Sequence, residues 1–179
     1  MQYNAIGYHG CPRTRFEELE ETGQWPKSIT GWLGPGIYFW DNDQSTARWW
    51  ADTRYSEQNP TVIRAKIDLS DCLDFTTVFA QNLLKKLRGF SEENPALANQ
   101  LKKLQQQGST EDGALIRIAR QRLEQKGTSF SSIRVPVHMQ SDESTMETVG
   151  STSLLVSFRM VIVVFDPAII QEYEVCDDQ

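Results

Sequence analysis

Trp32-Leu33-Gly34-Pro35-Gly36-Ile37-Tyr38-Phe39 is the stretch on which the fold turns. Gly34 and Gly36 bracket a proline and shape a tight approach into the β-prone run Ile37-Tyr38-Phe39. The pleat of that strand sends Tyr38 to one face and Ile37 and Phe39 to the other. Upstream, an apolar strand around Tyr3 to Tyr8 is closed by His9-Gly10. His-Gly at a sheet edge sets an imidazole beside a bare backbone unit, where a planar carboxamide can reach both N–H and C=O. Downstream, Thr46-Ala47-Arg48-Trp49-Trp50 lies on a helix whose first turns offer a hydroxyl and an aromatic face. Those two groups are enough to orient and stack a flat heterocycle.

Outward from this core, the spacing predicts a helix over 13–21 with Phe16 and Leu19 on one face, ended by Gly23 and Pro26. A loop over 24–35 precedes the strand at 36–39, and a helix over 45–55 follows, capped by Ser45 or a neighbouring Asp. Thr61 to Leu69 alternates as a half-buried strand. Helices are expected near 76–89, 94–107 and 111–126, the second a solvated helix with Leu97, Leu101 and Leu104 at helical spacing. The C-terminal third returns to β at 133–139, within 153–165, and at 171–176 as a last edge strand, with Asp166-Pro167 as the break. The polar run 140–152 reads as a loop. Strands at both ends with helices between them make one α+β domain over 1–179, with a helical insertion at about 76–126.

Composition narrows the function. The chain has 179 residues, 39% hydrophobic and 23% charged, as in ordinary globular proteins. No run approaches the roughly 20 apolar residues that span a bilayer, and MQYNAIGYHG has no signal-peptide pattern. A cytoplasmic protein without membrane partners is the expectation. Cys11, Cys72 and Cys176 are odd in number and far apart, which disfavours a disulfide framework. With only His9 and His138 beside them, a structural zinc site is not expected. A net charge of −6 argues against a protein that coats nucleic acid, though not against chemistry on one nucleotide, for which a local basic cluster suffices.

The paired segments Tyr8-His9-Gly10 and Gly34-Pro35-Gly36-Ile37-Tyr38-Phe39 resemble those of the poly(ADP-ribose) polymerase-like, diphtheria-toxin-type ADP-ribosyltransferases. The pattern GYHG, WLGPGIYFW and IDLSDCLDF is similar to that of small bacterial members of that superfamily, several of them toxins or phage-defence effectors. The resemblance implies an ADP-ribosyltransferase fold, a split β-sandwich with helical insertions. It implies NAD as the substrate, a protein or nucleic-acid acceptor, no metal, and a neutralising antitoxin as a partner. By the same resemblance His9 holds a hydroxyl of the adenosine-side ribose, Gly10 clamps the nicotinamide amide, and Tyr38 flanks the nicotinamide. Thr46 takes the position of a hydroxyl that also binds that amide, and Trp49 stacks on the ring's other face.

The third motif position departs from the pattern. The late strand Val161-Ile162-Val163-Val164-Phe165-Asp166 puts Val161 where the superfamily often has Glu, so poly-chain elongation is not expected. Arg159, Glu143 and Glu147 are the polar residues near enough in sequence to substitute. A non-catalytic NAD or ADP-ribose binding module, and an NAD glycohydrolase, are the alternatives to a transferase.

Each feature also has a plainer reading. A lone His9 would be a core histidine and Tyr38 a core aromatic; the companion motif argues otherwise for both. Trp49 and Trp50 are about 100° apart on a helix, so one packs inward and one lines the cleft, Trp49 by the motif. Trp32 and Trp40 read as loop packing and Cys11 as structural. Asp68, Asp71 and Asp74 read as turn acids rather than a metal cluster. Lys85, Lys86, Arg88, Lys102 and Lys103 read as solvated helix faces, and Arg117, Arg120 and Arg122 as a further basic cluster, with RNA or DNA docking as the alternative.

Overall fold

Asn4–Pro12 forms β1, the longest unbroken run of the sheet together with β3 (Pro60–Asp68), and the two pair antiparallel from Asn4↔Asp68 to Pro12↔Pro60. The expectation that His9-Gly10 closes the first strand is corrected here. His9 pairs with Ile63 and Gly10 with Val62, in mid-ladder, because the β-branched run Thr61 to Ile63 continues to offer partners. The computed structural model describes residues 3–29, 31–138 and 158–176. The predicted loop at 140–152, with Glu143 and Glu147, lies outside them.

Five more strands complete a mixed sheet: β2 (Ile37–Asp41), β4 (Cys72–Asp74), β5 (Ser132–His138), β6 (Phe158–Val164) and β7 (Ile170–Cys176). Their order is β4-β5-β6-β2-β1-β3-β7, antiparallel throughout except for β4 beside β5. The chain is therefore α+β, with β7 the expected edge strand. The three-residue β4 has no periodicity to announce it, and its Asp74 is held by Thr76 and Arg134 instead of standing free.

Five helices flank the sheet: α1 (Arg13–Thr22), α2 (Gln44–Tyr55), α3 (Val78–Glu93), α4 (Pro95–Gln106) and α5 (Glu111–Gln125). Side-chain oxygens of Asp43, Thr77, Asn94 and Thr110 cap the last four, each accepting a first-turn N–H. Gly23, at φ 66°, terminates α1 in the left-handed conformation. Phe16 and Leu19 of α1 pack with Trp25, Phe39, Ile63 and Ile162 on one sheet face. On the other face Ala47 and Ala51 of α2 meet Val62, while Ile116 of α5 and Ala80 of α3 meet Val161 and Val163. The helix expected to be solvated is amphipathic: Leu97, Leu101 and Leu104 are buried against α3 and α5. No helix among the described residues is long and apolar enough to cross a membrane.

Candidate functional site

The site arises where two neighbouring strands part. β1 and β2 are paired only at Gly7↔Asp41 and Tyr8↔Trp40, although both strands run on. Two features pull them apart. On one side Gly10 lies against α2, where a Cβ would stand 2.6 Å from the Ala47 carbonyl oxygen and 3.0 Å from Ala51 Cβ. On the other side β2 stays with β6, register Ile37↔Val164 to Trp40↔Val161, and leaves the sheet through Pro35 and Gly34, whose φ is 104°. Only glycine adopts that φ without strain.

The parting exposes backbone. Asn42 donates to the Ile6 carbonyl at 2.7 Å, so the even-numbered amide groups of β1 face β2 and the odd-numbered ones face β3. After Tyr8 the next groups facing β2 are those of Gly10, opposite Tyr38, and there the ladder has ended. Gly10, which carries no side chain of its own, thus turns one donor and one acceptor into the gap. His9 bridges the gap: its Nδ1 donates to the Tyr38 carbonyl at 2.7 Å. A carbonyl only accepts, so Nδ1 carries the proton and Nε2 is left as an acceptor. Burial lowers the imidazole's pKa from 6.5, partly opposed by the bond to Tyr38, so the ring is neutral near pH 7. Trp25 and Phe39 hold it at ring-centre distances of 6.1 and 5.6 Å.

Tyr38 is fixed at its tip. Its hydroxyl donates to the Gly34 carbonyl at 2.6 Å and accepts from the Leu33 N–H at 3.0 Å. Burial, opposed in part by that Leu33 bond and by the charge of Arg117, pushes the phenol up to about 12. The bend it grips is tied to the helical insertion. Thr110 donates to the Trp32 carbonyl from both N and Oγ1 at 3.1 Å, and a Cβ on Gly113 would come within 2.0 Å of that same oxygen.

A cleft of about 760 Å³ occupies the parting, a size typical of small-molecule sites. His9, Gly10 and Pro12 line it from β1, Tyr38 and Trp40 from β2, and Lys27 and Trp32 from the connecting loop. Trp50 and Tyr55 also line it, and Val135, Pro136, Val137 and Val161 form an apolar wall. Val161 is 2% exposed and faces Trp40 on one side and Val135 on the other, on the same sheet face as Tyr38.

Of the five residues proposed from sequence, His9, Gly10 and Tyr38 come together on this cleft; Thr46 and Trp49 are not among its lining. The Thr46 hydroxyl donates to Asp43 Oδ2 at 2.6 Å and accepts from Arg159 Nε at 3.2 Å, so it is engaged in the cap of α2. Trp49 is 52% exposed, and of the adjacent pair it is Trp50 that lines the cleft, beside Trp32 and Trp40. Helical geometry accounts for this. Ala47 and Ala51 mark the inward face, and Trp50 lies within about 60° of Ala47 while Trp49 lies about 160° away. Arg159 pairs with Asp43 at 3.1 Å, at the side of the cap. Cys11 is buried in the core, its thiol pushed up to about 11 by burial, which disfavours the thiolate. Among the described residues no group of three or more His, Cys, Asp or Glu is placed to hold a metal ion. Comparison with protein-family models, with curated proteins and with solved structures finds no match to this chain.

Proposed function

We propose that the cleft between β1 and β2 binds NAD⁺ and that the chain transfers ADP-ribose from it to a macromolecular acceptor. The observation that carries this reading is the interrupted ladder at Gly10, with His9 fastened across it. The free N–H and C=O of Gly10 match the donor and acceptor of a carboxamide such as that of nicotinamide. Tyr38 offers its ring to a heterocycle, and the neutral His9 Nε2 accepts from a ribose hydroxyl. On this reading the parted seven-stranded sheet is the split β-sandwich of an ADP-ribosyltransferase, with α3–α5 as its helical insertion.

The reaction breaks the glycosidic bond between the ribose anomeric carbon and nicotinamide, which leaves as a neutral molecule with the bonding pair. An acceptor nucleophile forms the new bond to that carbon and gives its proton to solvent or a neighbouring base. With Val161 in the apolar wall, the rate enhancement comes from positioning the two reactants and excluding water. The acceptor brings its own base. The same valine favours a second reading, a domain that binds NAD⁺ or ADP-ribose without chemistry; hydrolysis of NAD⁺ without an acceptor is a third.

Incubation with labelled NAD⁺ and cell lysate, beside His9→Ala and Tyr38→Ala, separates them. Label in a macromolecular fraction that disappears in both variants supports the transferase. Nicotinamide released without label transfer supports the hydrolase, and binding without release supports the module. A transferase of this kind, acting in the cytoplasm of a bacterial cell as a toxin or defence effector, requires a neutralising partner. High-level expression of active chain alone without growth arrest would count against that role.

A further inference from the structure

A second cavity of about 360 Å³ adjoins the cleft, and Lys27 lines both. Lys27 Nζ donates to the Phe165 carbonyl at 2.8 Å and Arg117 donates to Ser109 Oγ at 3.1 Å; among the described residues neither has a carboxylate partner. Arg120 lies with its guanidinium 3.9 Å above the Phe165 ring centre and spends Nε on Glu124 at 2.8 Å. Three cations thus share this pocket with one carboxylate, on a chain of net charge −6. A local surplus of positive charge attracts an anion, and guanidinium forks suit phosphate oxygens. The pocket is coupled to the cleft wall, because the Arg117 stem packs on Gly34, whose carbonyl holds the Tyr38 hydroxyl.

Indoles also border the cleft, through Trp40 and Trp50. Trp40, Trp50 and Trp49 step outward from it with ring centres 6.3 and 6.5 Å apart, and the outer two are 38% and 52% exposed. Exposed adjacent tryptophans form a stacking platform for unpaired bases. A phosphopeptide would use the cations and leave the indoles idle, and a duplex would keep its bases out of reach.

We infer that the acceptor is a single-stranded nucleic acid, held by a backbone phosphate in the Lys27–Arg117–Arg120 pocket and by bases on Trp49 and Trp50. This names the acceptor for the site proposed above and rests on that reading.

The test is fluorescence anisotropy of a labelled single strand of about twelve nucleotides, DNA and RNA in turn, with the intact chain at about 50 and 200 mM salt. Binding that weakens with salt, falls about tenfold in Arg117→Gln/Arg120→Gln and about tenfold in Trp49→Ala is expected. Lys27→Gln, a change at an exposed side chain, should weaken binding and flatten the salt dependence without altering the thermal midpoint. No binding at about 50 mM salt, equal binding by these variants, or equal binding of a duplex or a phosphopeptide overturns the assignment. So does full displacement by inorganic phosphate at the same phosphate concentration. NAD⁺ binding on the same preparation keeps the two readings apart. Oligonucleotide binding without NAD⁺ binding leaves the docking surface standing and removes the NAD⁺ cleft; NAD⁺ binding without oligonucleotide binding removes the docking surface alone.

Discussion

Tyr38→Phe deletes one oxygen and keeps the ring. In the native chain that oxygen serves the Gly34 carbonyl at 2.6 Å and the Leu33 N–H at 3.0 Å. Both residues are buried, Leu33 to 1% exposure, so phenylalanine leaves a donor and an acceptor without partners. Losses of this kind cost about 1–3 kcal/mol; about 2 is expected, a fall in thermal midpoint of roughly 4–8 °C for a chain of this size. The alkaline limb supplies an internal control. Burial raises the Tyr38 phenol from 10.0 to about 12, so the folded chain holds this proton more tightly than the unfolded chain. Its contribution is fully present below pH 10 and is lost as pH rises through about 12. The rise corresponds to at most ~2–3 kcal/mol, reduced to ~1–2 by the ring's partial exposure. Urea denaturation across pH should therefore show wild type above Tyr38→Phe by about 2 kcal/mol near neutrality, with the gap closing towards pH 12. Equal stability at neutral pH, or a gap that stays constant through the alkaline range, would refute the hydroxyl's role.

Gly113→Val drives a Cβ to 2.0 Å from the Trp32 carbonyl oxygen, so helix or bend must shift; a loss of about 3 kcal/mol is expected in a denaturant midpoint. His9 has its pKa lowered from 6.5 by burial, so its contribution is present above pH 6.5 and lost as pH falls below it. His9→Asn should flatten that acid limb in a pH series of thermal melts. Val161→Glu places a carboxylate at a 2% exposed position between Trp40 and Val135; it should cost about 3 kcal/mol or more at pH 8 and less under acid, when the group is protonated.

The strands and helices were legible because their apolar periodicity is strong: β2, α2, β3 and the three insertion helices fall within a few residues of where the sequence puts them. The cleft was legible through His9, Gly10 and Tyr38, whose residue types carry their own geometry. What the sequence hid was long-range. Whether β1 ends at His9 depends on β3, some 50 residues away, continuing to pair. Three-residue β4 exists only because β5 lies beside it. The N-cap carboxylate of Asp43 accepts from the Thr46 hydroxyl and so engages it, and family pattern alone chose Trp49 over Trp50. Ala47 and Ala51 held the missing signal, since small residues four apart mark the face that meets a strand glycine. The apolar wall from β5, and Arg117, Arg120 and Phe165 of the cationic pocket, come from segments far downstream, which no local pattern joins to the motif.

Calorimetric titration of NAD⁺ into the intact chain, beside His9→Ala and Tyr38→Ala of verified fold, tests the central claim most directly. Saturable binding by the wild type, weakened about tenfold or more in each variant, is the expected result. No binding, or variants that bind as well as the wild type, would mean that the parting of β1 and β2 is not an NAD⁺ site.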